Sequence, residues 1–232
     1  MLHHRLERIT VTIGGGPAFW MLAAFCGALA VAVSVLATMG TGDRGTSVAL
    51  QLTGRFSLLL FWPAYAGAAT AALFGPRFNI LARHGRDFGL AYAAAQLVHL
   101  GLVVHIITLS GRLTLNSIMP FFAIGVAWTY VLALSSIKSI SELLTPAFWR
   151  IVRNVGLEYL ALVFLADLVL RPIETHDSRP LLYLPFSTLL IVGTVLRQAA
   201  IAQRSSYLRT RFTSALAFVG RRMIDRSRQS QV

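Results

Sequence analysis

Apolar residues in this chain run in long unbroken blocks, and there are six of them. They cover residues 17–37, 56–75, 88–110, 117–136, 148–170 and 181–202. Each approaches the ~20 residues a helix needs to cross the hydrocarbon core of a bilayer. Strands facing lipid alternate apolar and polar positions over short segments, and these blocks do not alternate. A helix satisfies its own backbone groups inside the bilayer. The pattern therefore predicts an all-α membrane protein, a bundle of six transmembrane helices filling one domain, residues 1–203. Beyond it, residues 204–232 place Leu208, Phe212, Leu216, Val219 and Met223 at helical spacing with arginines on other faces. That predicts a basic amphipathic helix lying on the inner leaflet.

Composition agrees. Hydrophobic residues make up 56% of the chain and charged residues 13%, against about 25% charged in a soluble domain. Of the 21 Lys and Arg, sixteen fall on one side of the predicted bundle: Arg5, Arg8, those from Arg77 to Arg86, those from Lys138 to Arg153, and the C-terminal set from Arg197 onward. Arg44, Arg55, Arg112, Arg171 and Arg179 fall on the other. The richer side is expected to be cytoplasmic, which puts both termini inside, as an even number of spans requires. The net charge of +12 then answers to topology and anionic lipid rather than to nucleic acid. The lone Cys26 excludes an internal disulfide and a multi-cysteine metal site and is expected to be a small packing residue of the first helix. That first block is longer than a signal-peptide core and is read as a span. Residues 38–55, 111–116 and 171–180 are expected to be connections on the outer side, the last a solvated loop carrying an exposed His176.

The polar residues inside the blocks carry the candidate chemistry. The stretch 85–106, GRDFGLAYAAAQLVHLGLVVHI, holds His99 near its middle and His105 further out. An ionisable group inside a membrane helix is costly unless satisfied, and marks function by default. Six residues separate the two histidines, which is roughly 9 Å of rise and leaves the rings about 120° apart, so each needs its own partner. The fifth block runs in the same direction. It brings Glu158 to a depth similar to that of His99, with Asn154 one turn below, and Asp167 to the depth of His105. Three roles are open to His99: an axial haem ligand, part of a proton or ion relay with Glu158, Asp167 and Asn154, or a hydrogen bond that glues helices together. No Gly-rich phosphate loop marks a flavin or nicotinamide site, since Gly14–Gly16 follow no strand.

Several of these positions form a family pattern. Gly89-Leu90, Tyr92-Ala93 and Leu97-Val98-His99 follow Arg86. Thr53-Gly54-Arg55 stands ahead of the second block. Trp149-Arg150 is followed by Tyr159-Leu160-Ala161-Leu162. Across residues 53–170 this resembles the ferric reductase-like transmembrane domains, and within them most resembles the haem-binding membrane subunits of bacterial methionine sulfoxide reductase systems. The resemblance implies haem b between the third and fifth spans, with His99 as the third-span iron ligand and His105 as a weaker candidate. It implies no separate catalytic residue and a location in the bacterial inner (cell) membrane. The chain would then be at most a membrane oxidoreductase subunit, passing electrons to or from a separate redox partner that docks at the basic cytoplasmic side. Arg83, Arg86 and Arg150 would be placed to meet haem propionates. The family's fifth span carries a histidine pair, and this fifth block has no histidine. The alternative is therefore a haem-free divergent member, acting as an accessory or assembly subunit or as a proton-linked carrier.

Overall fold

A computed structural model describes residues 16–110, 119–136, 145–170 and 183–206. Every described element is helical. Helix α1 is Pro17–Met39 and α2 is Asp43–Phe74; a 3-10 turn at Pro76–Phe78 and the short α3, Asn79–Arg83, lead into α4, Gly85–Ser110. Then come α5, Met119–Ser135, and α6, Pro146–Leu165, which ends in a π turn at Ala166–Leu170. The last described helix, α7, is Tyr183–Ser206. Helices α1, α2, α4 and α7 are long and apolar enough to cross a membrane. The apolar α5 is shorter, at 17 residues, and the 20-residue α6 carries Arg150, Arg153 and Glu158.

The largest departure from expectation lies between α1 and α2. Residues 43–55, expected as part of an outer connection, are the first turns of α2. The connection itself is short: Gly40 caps α1 at φ 83, a conformation that favours glycine, and α2 begins after Gly42. A Cβ on Gly45 would collide with the Gly40 carbonyl, so the turn also requires that glycine. Asp43 stands in the first turn of α2, where the helix dipole favours an acid. Thr46, Ala49 and Thr53 are fully buried on one face of the extension. At 32 residues, α2 is about 48 Å long, well beyond the ~30 Å hydrocarbon core. Arg55, counted in sequence as an outer-side charge, is therefore a buried residue inside a helix.

Named contacts fix the helix directions. Thr53 meets His99, and Phe61 stacks near Tyr92, so α2 and α4 are antiparallel. Phe61 also meets Phe164 while Tyr65 meets Glu158, so α6 opposes α2 as well. Arg55 lies over the rings of Tyr183 and Phe186, and Tyr65 reaches Thr194, so α7 runs parallel to α2. Gly125 packs on Val163 and Gly156 on Trp128, which sets α5 against α6. Trp20 packs on Phe88, and further along both helices Ala28 and Ala32 share a cluster with Ala95 and Leu102, so α1 and α4 are parallel. Consecutive long helices thus alternate in direction. Arg77, Arg83, Arg86, Arg150, Arg153 and Arg204 gather at one end, and Arg44 lies at the other.

Two clusters hold the helices together. Phe61 stands 5.3 Å from the Tyr65 ring, 5.4 Å from Tyr92 and 5.2 Å from Phe164, tying α2, α4 and α6. An alanine seam of Ala24, Ala28, Ala32, Ala49, Ala91 and Ala95 joins α1, α2 and α4. Small residues let backbones approach closely where lipid removes any hydrophobic drive between helices. The outward faces are apolar: Leu22 and Val33 of α1, Ile151 and Val155 of α6, and Ile191 and Val195 of α7 are all exposed. Apolar faces this extensive mark contact with a membrane or a partner, and with four helices able to span they are consistent with an integral membrane protein. Cys26 lies on such an exposed face of α1 instead of packing inside.

Candidate functional site

Glu158 is held from two sides. Arg197 of α7 donates through Nε to Glu158 Oε1 at 2.7 Å, and the Tyr65 hydroxyl of α2 donates to Oε2 at 3.0 Å. Arg197 continues through Nη1 to the Tyr65 carbonyl at 3.2 Å and through Nη2 to Asn154 Oδ1 at 3.1 Å. Its guanidinium carbon lies 4.9 Å from the centre of the Tyr65 ring. Three helices meet in this clasp. Both carboxylate oxygens and all three guanidinium nitrogens are engaged, so its chemistry is cohesion. In the sequence Arg197 counts with the C-terminal basic set, and Glu158 stands level with His99 as a partner in one of three open roles; the structure turns Arg197 inward from within α7 and pairs it with Glu158. Asn154 does sit beside Glu158, as its one-turn spacing predicts.

His99 belongs to a different constellation. Its Nδ1 lies 3.0 Å from Thr53 Oγ1. That hydroxyl is also 2.8 Å from the Ala49 carbonyl and 3.2 Å from that of Leu50, so Thr53 ties the ring to the buried start of α2. Gly54 gives the ring room, with a hypothetical Cβ there 3.5 Å from Cε1. Asp167 stands in the π turn after α6. His105 places Nε2 3.3 Å from the Thr41 carbonyl in the α1–α2 turn, in an exposed position.

These positions can be weighed against the haem that the family resemblance implies. The axial pair would come from α4 and α6. Helix α6 carries no histidine, and His105 turns away to Thr41. The residues present bring one imidazole nitrogen to the bundle interior and do not compose a bis-histidine pair.

The arginine-rich end contains two cavities. One, of about 340 Å³, opens between α2, α4, α5 and α6, with Arg83, Arg86 and Arg153 around it and Phe61, Tyr92 and Leu160 within. The other, a groove of about 800 Å³, runs between α2, α6 and α7 beside Arg150, Arg153, Arg197 and Arg204. Neither is lined by His99 or His105. Among the described residues no group of three or more His, Cys, Asp or Glu is placed to hold a metal ion.

Sequence reasoning missed Tyr65, Thr53 and the inward role of Arg197. The signal for Arg197 was present: it stands inside an apolar block, and a buried charge requires one of opposite sign. Of residues 204–232, expected as an amphipathic tail, 204–206 are the last residues of α7; 207–232 and the loop with His176 lie outside the described residues. No family model, curated protein or solved structure matches the chain.

Proposed function

We propose that this chain is a six-span membrane protein of ferric reductase-like architecture, with both termini on its arginine-rich cytoplasmic side, that serves as a haem-free accessory subunit. The observation that carries this reading is the engagement of Glu158 by Arg197 and Tyr65. The acid that stands level with His99 binds helices together instead. A relay between Glu158 and His99 needs the two to meet, and Glu158 meets Arg197 and Tyr65 while His99 meets Thr53. The alternating helix directions and the gathering of arginines at one end support the six-span layout. The test is an absorption spectrum of the protein purified from haem-replete cells, oxidised and dithionite-reduced. The expected result is no Soret band and no reduced α-band. A sharp α-band overturns the haem-free reading.

A second reading is favoured by one observation. Thr53 Oγ1 lies 3.0 Å from His99 Nδ1, and a metal-ligating histidine has its other nitrogen held by such a hydrogen-bond partner. Under that reading His99 ligates haem b, and electrons pass between it and a separate redox partner. The same spectrum decides, and His99→Ala would then abolish the α-band.

A further inference from the structure

We propose that the cavity between α2, α4, α5 and α6 binds an anionic phospholipid of the cytoplasmic leaflet. Arg83, Arg86 and Arg153 would hold the phosphate, and the apolar wall below them the start of an acyl chain. The inference rests on the reading that places this end of the bundle at the cytoplasmic face.

Unbalanced charge is the first argument. Among the described residues Glu158 pairs with Arg197, and the Asp87 carboxylate lies against His84 Nδ1. Asp87, the acid nearest Arg86 in sequence, is thus taken by His84 at 2.9 Å. Glu158, the acid nearest Arg153, is taken by Arg197. Arg83, Arg86 and Arg153, from α3, α4 and α6, are exposed residues around one cavity, and none forms a salt bridge with an acid among the described residues. Like charges gathered beside low-dielectric walls repel unless an anion joins them. A phosphate matches the planar fork of a guanidinium, which binds two oxygens at once.

Shape supplies the second argument and selects lipid over a free anion. Arg86 and Tyr92 are six residues apart on α4, so the cavity extends about 9 Å below its basic rim. Its deeper wall is formed by Phe61, Leu157 and Leu160. The two hydroxyls at that depth are engaged: Tyr92 with Thr129 at 3.2 Å, and Thr129 with the Gly125 carbonyl at 3.0 Å. A small inorganic anion would leave this wall unused, while a chain carrying a phosphate covers both halves. Basic pockets between membrane helices on the cytoplasmic side bind anionic headgroups in this manner. The 340 Å³ volume lies within the roughly 300–1,000 Å³ range of ligand pockets.

The test titrates the intact chain in mild detergent with phosphatidylglycerol, with phosphatidylcholine of the same acyl chains, and with inorganic phosphate. Native mass spectrometry counts bound lipid and thermal unfolding reports stabilisation. The expected result is a retained phosphatidylglycerol adduct and a raised unfolding temperature with that lipid alone. Arg83→Gln, Arg86→Gln and Arg153→Gln should each weaken binding by about tenfold, the scale of one lost charge-assisted hydrogen bond, while Arg44→Gln at the opposite end changes nothing. Single variants guard against a triple variant that does not fold, and the comparison of lipids on the unmodified chain needs no variant. Equal binding of both lipids, binding that survives all three substitutions, or inorganic phosphate stabilising as well as the lipid would each overturn the site. A haem adduct in the same mass spectra would overturn the haem-free reading instead and leave the lipid comparison standing.

Discussion

Glu158 and Arg197 meet at 2.7 Å although 39 residues separate them in the chain. The pair joins α6 to α7, and through Tyr65 it joins both to α2. The Arg197 side chain is 13% exposed and that of Glu158 40%, so solvent screens part of the pair's attraction. Arg197→Met should therefore destabilise the protein by about 1.5 kcal/mol, the low end of the range for hydrogen bonds to charged groups. Glu158→Gln, which keeps an acceptor for Arg197, should cost about 1 kcal/mol. The double variant should be more stable than Arg197→Met alone, because no stranded carboxylate remains. Thermal unfolding in detergent checks all three, and strictly additive losses would show that the pair is not coupled.

Thr53 holds the His99 ring through Nδ1. With Thr53→Val that nitrogen loses its hydroxyl partner, and a loss of about 1 kcal/mol is expected. Nitrogen NMR of the histidine ring gives the sharper check. The unmodified protein should show His99 as one tautomer, and the valine variant a mixture of tautomers. A mixture in the unmodified protein would contradict this hold.

Gly193 sits where Trp62 crosses α7. A Cβ there would stand 2.6 Å from the indole Nε1, and that nitrogen donates to the Leu189 carbonyl at 2.7 Å. Gly193→Ala should displace the indole, break that bond and cost about 1–3 kcal/mol, as overpacking does. Gly101 in α4 has nothing within 4 Å of a hypothetical Cβ. Gly101→Ala should be neutral or stabilising by up to ~1 kcal/mol through helix propensity. The contrast in unfolding temperature between the two variants is the measurement.

The ends of the bundle predict which side each loop faces. In a Cys26→Ala background, Arg44→Cys should react with an impermeant thiol reagent added to intact cells. Arg77→Cys and Arg204→Cys should react only after the membrane is opened. The reverse pattern would place the arginine-rich end outside.

The helices were legible because long apolar blocks have few other uses. The start of α2 was not, because Thr46, Ala49 and Thr53 are small or polar and read as loop when hydropathy is the only guide. In the structure they are the buried face of a helix packed on α1 and α4, where small size is what close approach needs. The candidate site was half legible. His99, Glu158, Asp167 and Asn154 could be named as ionisable or polar groups out of place in apolar blocks, yet their partners could not. Depth along a helix predicts level but not azimuth, so Glu158 stood level with His99 although it faces Arg197 and Tyr65.

The sequence alone determined the helical class, the alternation implied by short connections, and the bias of basic residues. Each follows from local chemistry: apolar length, self-satisfied backbone, and charge counted along the chain. Only the tertiary structure decided which polar groups meet. That choice depends on which faces of α2, α4, α6 and α7 turn toward one another, and side-chain packing fixes those rotations. The alanine seam and the Phe61 cluster set them, and they leave Glu158 on Arg197, His99 on Thr53, and three arginines around one cavity.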